Sequence, residues 1–246
     1  MKEQLKGQRA LVTGAVGGVG ACVAAQLSSL GVDVVGLDRA EGADLLIDLA
    51  STDEVRSVLG RLHDEGPIDI VAHCAAMTIM SDFDSTTVED WDRVMAVNAR
   101  GTFNLLQATL PHLRAQRYGR VVTVASIATE FGYRFPAYSA SKAAVIALSR
   151  SAAVEYAPHG VTVNIVSPGR ILTPMAPPGS VEELAERVPV GRGAAPDEVA
   201  SVICALVRPE MGYVTGANIV CDGGMSMVFA LHGLGSYSSF VSDDLD

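Results

Sequence analysis

Short apolar runs alternate along the chain with longer stretches in which apolar residues return every three or four positions. The runs are RALVT (Arg9 to Thr13), VDVVGLD (Val32 to Asp38), DLLID (Asp44 to Asp48), IDIVAH (Ile68 to His73), RVVTVAS (Arg120 to Ser126), VTVNIVS (Val161 to Ser167) and ANIVCD (Ala217 to Asp222). Such runs, set between helical patterns, predict strands. Helices are predicted over Val19 to Leu30, Thr52 to Glu65, Val88 to Gln116, Ala137 to Tyr156 and Asp197 to Arg208. The strands are too apolar to have a wet face, so the alternation predicts βαβ units and a parallel sheet covered on both sides.

Several boundaries carry a physical signal of their own. Gly31 follows the first helical pattern, where a left-handed cap is easiest for glycine. Ser51 and Thr87 can cap the helices that follow them, and Pro196 suits a first helical turn, where its missing N–H had no partner to lose. No internal repeat or low-complexity linker breaks the pattern, so one domain is expected over residues 1–227, with 228–246 as a tail. The tail ends in HGLGSYSSFVSDDLD, outside the alternation and acidic. It reads either as a mobile segment or as a strand of subunit contact.

Composition narrows the partners. Of 246 residues, 49% are hydrophobic and 19% charged, which fits a well-packed core. The formal net charge of −10 argues against a nucleic-acid backbone or an anionic membrane, since either would repel this surface. A small molecule is the expected partner. The four cysteines, Cys22, Cys74, Cys204 and Cys221, form no CxxC pair and are expected as buried free thiols. The opening MKEQLKGQRALVTG lacks the apolar core of a signal peptide, and no segment reaches the ~18 uninterrupted apolar residues of a membrane span, so a cytoplasmic protein is expected. The five histidines, His63, His73, His112, His159 and His232, show no metal-ligand spacing, and no metal site is expected.

Chemistry enters at TGAVGGVG, Thr13 to Gly20, between the first predicted strand and the first predicted helix. Gly14, Gly18 and Gly20 let the backbone turn tightly and approach a pyrophosphate, while the helix start around Val19 offers free N–H groups and a positive dipole end. Asp38 ends the second predicted strand about twenty residues on, where a carboxylate accepts from adenosine ribose hydroxyls and repels a 2′-phosphate. That favours NAD over NADP, with neighbouring Arg39 pulling the other way. Asp48 either reaches the adenine or caps the next helix.

In AYSASK, Ala137 to Lys142, a tyrosine and a lysine stand four residues apart, on one face of a helix. Hydride chemistry with a nicotinamide cofactor requires a proton to be moved at oxygen near neutral pH. A phenol of reference pKa near 10 is a poor base, and an adjacent ammonium, aided by an oxidised nicotinamide, lowers that value by roughly 1–3 units. Tyr138 is the candidate general acid/base and Lys142 its tuner. Ser126 falls at the end of the fifth predicted strand, where doubly wound sheets bind ligands, so its hydroxyl can hold a substrate oxygen. Each also has a plain structural reading: a surface tyrosine beside a solvated lysine, and a polar strand end.

Taken in order, TGxxxGxG at Thr13 to Gly20, the acidic strand end at Asp38, VNARG at Val97 to Gly101, Ser126, YSASK at Tyr138 to Lys142, SPGRILT at Ser167 to Thr173 and DGG at Asp222 to Gly224 resemble the short-chain dehydrogenase/reductase family. The resemblance extends to about Met227. It implies a single-domain Rossmann fold, a doubly wound parallel sheet in three α/β/α layers, with a tetrad of Ser126, Tyr138, Lys142 and Asn98. Tyr138 would exchange the proton, Ser126 orient the carbonyl or alcohol, Lys142 also hold the nicotinamide ribose, and Asn98 fix a water that relays protons from Lys142. Pro168, Gly169, Ile171 and Thr173 would cradle the nicotinamide amide, and Ala75 would support the adenosine side. A homotetramer is implied, packed through the helices around Val88 to Gln116 and Ala137 to Tyr156.

Two features depart from the family pattern. HCAA, His73 to Ala76, replaces the usual Asn-Asn-Ala-Gly, with His73 read as structural since the tyrosine fills the acid/base role. The loop from Ser126 to Tyr138 is about one residue short, and its Phe131, Tyr133 and Phe135 either line the substrate cleft or pack. The segment after Thr173, PMAPPGSVEELAERVPVGR, would form a short lid lacking a basic cluster. The leading expectation is an NAD-dependent oxidoreductase interconverting a secondary alcohol and a ketone, with cyclic substrates and dihydrodiols as candidates. The alternative is a 3-oxoacyl thioester reductase, and a non-catalytic dinucleotide sensor comes third.

Overall fold

The computed structural model describes residues 5–173 and 188–227. Seven parallel strands pair in the order β3-β2-β1-β4-β5-β6-β7: β1 Arg9–Thr13, β2 Asp33–Asp38, β3 Leu45–Leu46, β4 Ile70–His73, β5 Gly119–Val124, β6 Val161–Pro168 and β7 Asn218–Cys221. The order reverses between β1 and β4, which leaves a crevice at the carboxyl ends of those strands.

The helices are α1 Gly18–Ser29, α2 Thr52–Glu65, α3 Val88–Met95, α4 Gly101–Gln116, α5 Pro136–Tyr156 and α6 Pro196–Leu206. One core lies between the sheet and the α2, α4, α5 layer, with Val55, Leu59, Leu105, Leu113 and Ala153 packed on Leu11, Val71, Val121 and Val163. The other lies under α1 and α6, where Val23, Leu27, Val199 and Ile203 cover Ala10, Val12, Ile70 and Val122. Alternate residues of one strand thus feed opposite cores, the reason those strands read as continuous apolar runs.

The expected caps are in place. Ser51 accepts from Glu54 N and Thr87 from Asp90 N, Gly31 has φ +82, and Pro196 opens α6. Two differences from expectation have a visible cause. The third strand shrinks to Leu45–Leu46 because the Asp44 carboxylate, not a main-chain carbonyl, takes the Gly36 N–H at 2.7 Å. The helix expected to run unbroken from Val88 to Gln116 contains a π turn at Ala96–Arg100, in which Gly101 N–H reaches back five residues to Ala96 O.

Among the described residues no helix is long and apolar enough to cross a membrane. All four cysteines are free; only Cys204 is fully buried, so the expectation of four buried thiols holds for one of them. Most of the segment expected as a lid, residues 174–187, and the expected tail, 228–246, lie outside the described residues.

Candidate active site

A cleft of about 530 Å³ opens along the carboxyl edge of the sheet, its walls built from the segments that follow β1, β2, β4, β5 and β6. Gly14, Gly18, Val19 and Gly20 form its floor, Asp38 and Asp48 one end, Ala75 the middle, and Ser126, Tyr138, Lys142, Pro168, Gly169, Ile171 and Thr173 the other end. Every residue expected at the cofactor or the reacting centre lines this one cleft except Asn98, whose neighbour Val97 lines it instead.

The floor is a bare-backbone cradle. Gly14 has φ +70, and a Cβ there would sit 2.7 Å from Ala75 N. A Cβ on Gly20 would strike the Gly14 carbonyl, and one on Gly18 would lie 2.7 Å from the Thr173 methyl. Because α1 begins at Gly18, its first N–H groups and positive dipole end adjoin the cradle. A loop that excludes side chains, faces a helix N-terminus and is flanked by a carboxylate fits a dinucleotide.

Asp38 closes the end where the adenosine is expected. Its Oδ2 accepts from Val16 N at 3.2 Å, and its Oδ1 accepts from Arg39 N at 2.7 Å and Ala40 N at 3.1 Å. These bonds hold the carboxylate against the glycine loop with lone pairs still open to the cleft. Asp48 accepts from Ala50 N at 2.9 Å and caps a turn; the cap of α2 is Ser51.

Ser126 lies two residues beyond β5, not within it as expected, and caps a short 3-10 turn by accepting from Ala128 N at 3.1 Å. Its hydroxyl also stands near enough to Tyr138 to favour the phenolate. The Lys142 ammonium donates to the Val124 carbonyl at 2.7 Å and lies 5.8 Å from the Tyr138 ring centroid. Burial holds that ammonium down to about 8. Burial also raises the Tyr138 phenol above its ordinary value, with the Ser126 hydroxyl pulling it back and Tyr133 adding to the rise. The lowering of Tyr138 expected from Lys142 together with an oxidised nicotinamide is not delivered by the protein alone, where burial prevails and the ammonium is engaged by Val124.

Asn98 is buried behind the cleft wall, in the π turn. Its Nδ2 donates to Met77 O and to Ser141 Oγ, both at 2.9 Å, and its Oδ1 accepts from Met77 N at 2.9 Å. Ser141 passes the brace on, donating to the Tyr138 carbonyl at 2.7 Å. His73 is buried with both ring nitrogens bonded, Nδ1 to Thr13 and Nε2 to Thr102, and burial drives its pKa down to about 3. The structural reading of His73 stands on that geometry. Cys74 lines the cleft, but burial pushes its thiol up to about 12 and removes it as a nucleophile.

Phe131, Tyr133 and Phe135 pack edge to face on one another, with ring centroids 6.2 and 5.1 Å apart, and do not line the cleft. Sequence reasoning missed Ser141, Thr13 and Thr102. Ser141 sits inside the YSASK motif; Thr13 is placed by the register that sets it beside His73, and Thr102 by the packing of α4 against the ring.

Residues 14–226 match the family model described as Enoyl-(Acyl carrier protein) reductase. The chain is 34% identical to the 3-oxoacyl-[acyl-carrier-protein] reductase FabG of Vibrio cholerae, over 91% of this chain and 99% of that one. It is 32% identical to the short-chain reductase protein NovJ of Streptomyces niveus, over 87% and 92%. Among solved structures it is similar to gox2181, with a TM-score of 0.86 at 29% identity, over 92% of this chain and 98% of that one.

Proposed function

The chain belongs to the short-chain dehydrogenase/reductase family, and on that premise we propose that it interconverts a secondary alcohol and a ketone with NAD(H), using Tyr138 as general acid/base. The observation that carries the reading is the meeting of Ser126, Tyr138 and Lys142 at one end of the glycine-floored cleft. Bound there, a nicotinamide dinucleotide supplies or takes the hydride at the substrate carbon.

The chain's own residues handle the oxygen. Ser126 donates to the substrate oxygen and holds it beside Tyr138, which gives its phenolic proton in reduction and takes one back in oxidation. Lys142, fixed by Val124, presents its charge to the ribose side of the cleft. Asn98 braces Tyr138 through Ser141. Its carboxamide is taken up by Met77 and Ser141 and its main-chain carbonyl accepts from Thr102, so the role this geometry supports for Asn98 is that of a brace. Pro168, Gly169, Ile171 and Thr173 hold the nicotinamide end.

Asp38 supports NAD(H) over NADP(H), because a 2′-phosphate at the end of β2 meets a carboxylate already pinned by three N–H groups. The 3-oxoacyl thioester reductase reading keeps independent support from the names of similar proteins. Against it stands the formal net charge of −10, which repels any negatively charged carrier. Cyclic ketones and dihydrodiols remain the substrates we favour. We also propose a homotetramer joined through α4 and α5, where Phe103 and Val154 expose 46% and 80% of their surface. Light scattering tests this, and a clean monomer overturns it.

The functional test is oxidation of NADH and NADPH with a panel of cyclic ketones and a β-ketoacyl thioester. Turnover of ring ketones with NADH, abolished in Tyr138→Phe, supports the reading. Turnover confined to the thioester with NADPH replaces it with the acyl reductase.

A further inference from the structure

Thr13, His73 and Thr102 form a buried row in which each proton has one place to go. Thr13 and His73 are register partners at the carboxyl ends of β1 and β4, with Thr13 Oγ1 2.7 Å from His73 Nδ1. Thr102, at the start of α4, lies 2.8 Å from Nε2. The Thr102 hydroxyl donates to the Asn98 carbonyl at 2.6 Å. Having a single proton, it can only accept from the ring. Nε2 therefore carries the ring hydrogen and Nδ1 is bare. Thr13 must then donate to Nδ1, which leaves its lone pair free to accept the Ala75 N–H at 3.2 Å.

The two ends of the row are working parts of the molecule. Ala75 lines the cleft and sits against Gly14, and Asn98 lies in the π turn that braces Ser141 beneath Tyr138. His73 itself does not line the cleft. We propose that His73 is a positioning residue: held as the Nε2–H tautomer, it sets the Asn98 turn, and through Ser141 the height of Tyr138, against the dinucleotide loop at Ala75. The inference rests on the oxidoreductase reading and deepens it.

The two side-chain amides divide the role. Asparagine carries its polar atoms at the position of Nδ1, glutamine at that of Nε2. His73→Asn keeps the Thr13 bond and releases Thr102, so kcat falls roughly 10- to 100-fold while KM for NADH stays within about twofold. His73→Gln keeps the Thr102 bond and frees the Ala75 loop, so kcat is retained and NADH binds more weakly. Titrating NADH fluorescence without substrate reads the second half of this crossed pattern independently of turnover. Nitrogen NMR of histidine-labelled wild-type protein reads the tautomer and depends on neither variant folding. A ring bearing its hydrogen on Nδ1 overturns the proposal, as do two variants that lose only melting temperature with kcat and NADH affinity unchanged. If the wild type reduces no ketone while the tautomer and the NADH split hold, the oxidoreductase reading fails and the positioning by His73 stands.

Discussion

Lys142 donates to the Val124 carbonyl across 2.7 Å and so lies 5.8 Å from the centre of the Tyr138 ring, fixed from below by β5. The side chain is buried and its ammonium is held down to about 8 from an ordinary 10.5. A cation whose folded value lies below its unfolded value destabilises the fold below the folded value, and the cost is relieved as pH rises from about 8 toward 10.5. Lys142→Met is therefore expected to match or exceed the wild type in urea at pH 7, by on the order of 1–3 kcal/mol, while losing at least about 100-fold in turnover. Marked destabilisation of the variant would show that the lysine is a structural strut.

The raised phenol of Tyr138 predicts an asymmetry between directions. Ketone reduction needs the protonated phenol and stays level through neutral pH; alcohol oxidation needs the phenolate and climbs with pH. Ser126→Ala removes the hydroxyl that favours phenolate, so the alkaline limb of oxidation moves further up and kcat drops roughly 100- to 1,000-fold. Steady-state pH profiles in both directions check this, and a reduction rate that decays through neutral pH contradicts it.

Asp38→Asn keeps an oxygen for the Val16 N–H but loses the charge that faces a 2′-phosphate. The ratio of kcat/KM for NADPH to that for NADH is expected to rise about tenfold or more, the equivalent of roughly 1.4 kcal/mol. An unchanged ratio would move coenzyme choice to another residue, with exposed Arg39 first in line.

Strand and helix positions are legible in the sequence because local pattern and local caps carry them: Ser51, Thr87, Gly31 and Pro196 each act on their own turn; the residues of the cleft are legible through the ordered motifs, and the strand order is supplied by the fold. The π turn is not legible, since one extra residue per turn at Ala96–Arg100 leaves apolar spacing in α3 and α4 intact. Nor is the two-residue β3, decided by Asp44 reaching across to Gly36. The four-residue spacing of Tyr138 and Lys142 gives proximity on a helix but not direction, so the sequence does not reveal that Val124 takes the ammonium.

His73, at about 3 against an ordinary 6.5, stays neutral in the fold where the unfolded chain takes up a proton. Its contribution to stability is complete above pH 6.5 and lost as pH falls toward 3, up to roughly 5 kcal/mol in total. His63, lowered to about 4 by burial and His112, acts in the same direction and is present in wild type and variant alike. The difference in urea midpoint between wild type and His73→Asn should therefore narrow on acidification; a gap that widens means the imidazole is charged in the fold.

The one-way row from Ala75 through Thr13, His73 and Thr102 to Asn98 also bears on how this sequence can drift. A row in which every donor meets one acceptor has no spare link, so a change at any member leaves a buried polar atom stranded in its neighbours. A replacement at His73 that leaves both threonines a polar partner is therefore expected to cost less than an apolar one of the same size. The three positions, 60 and 29 residues apart along the chain, thus meet as one unit whose polarity is set by the fold and not by any local stretch of sequence.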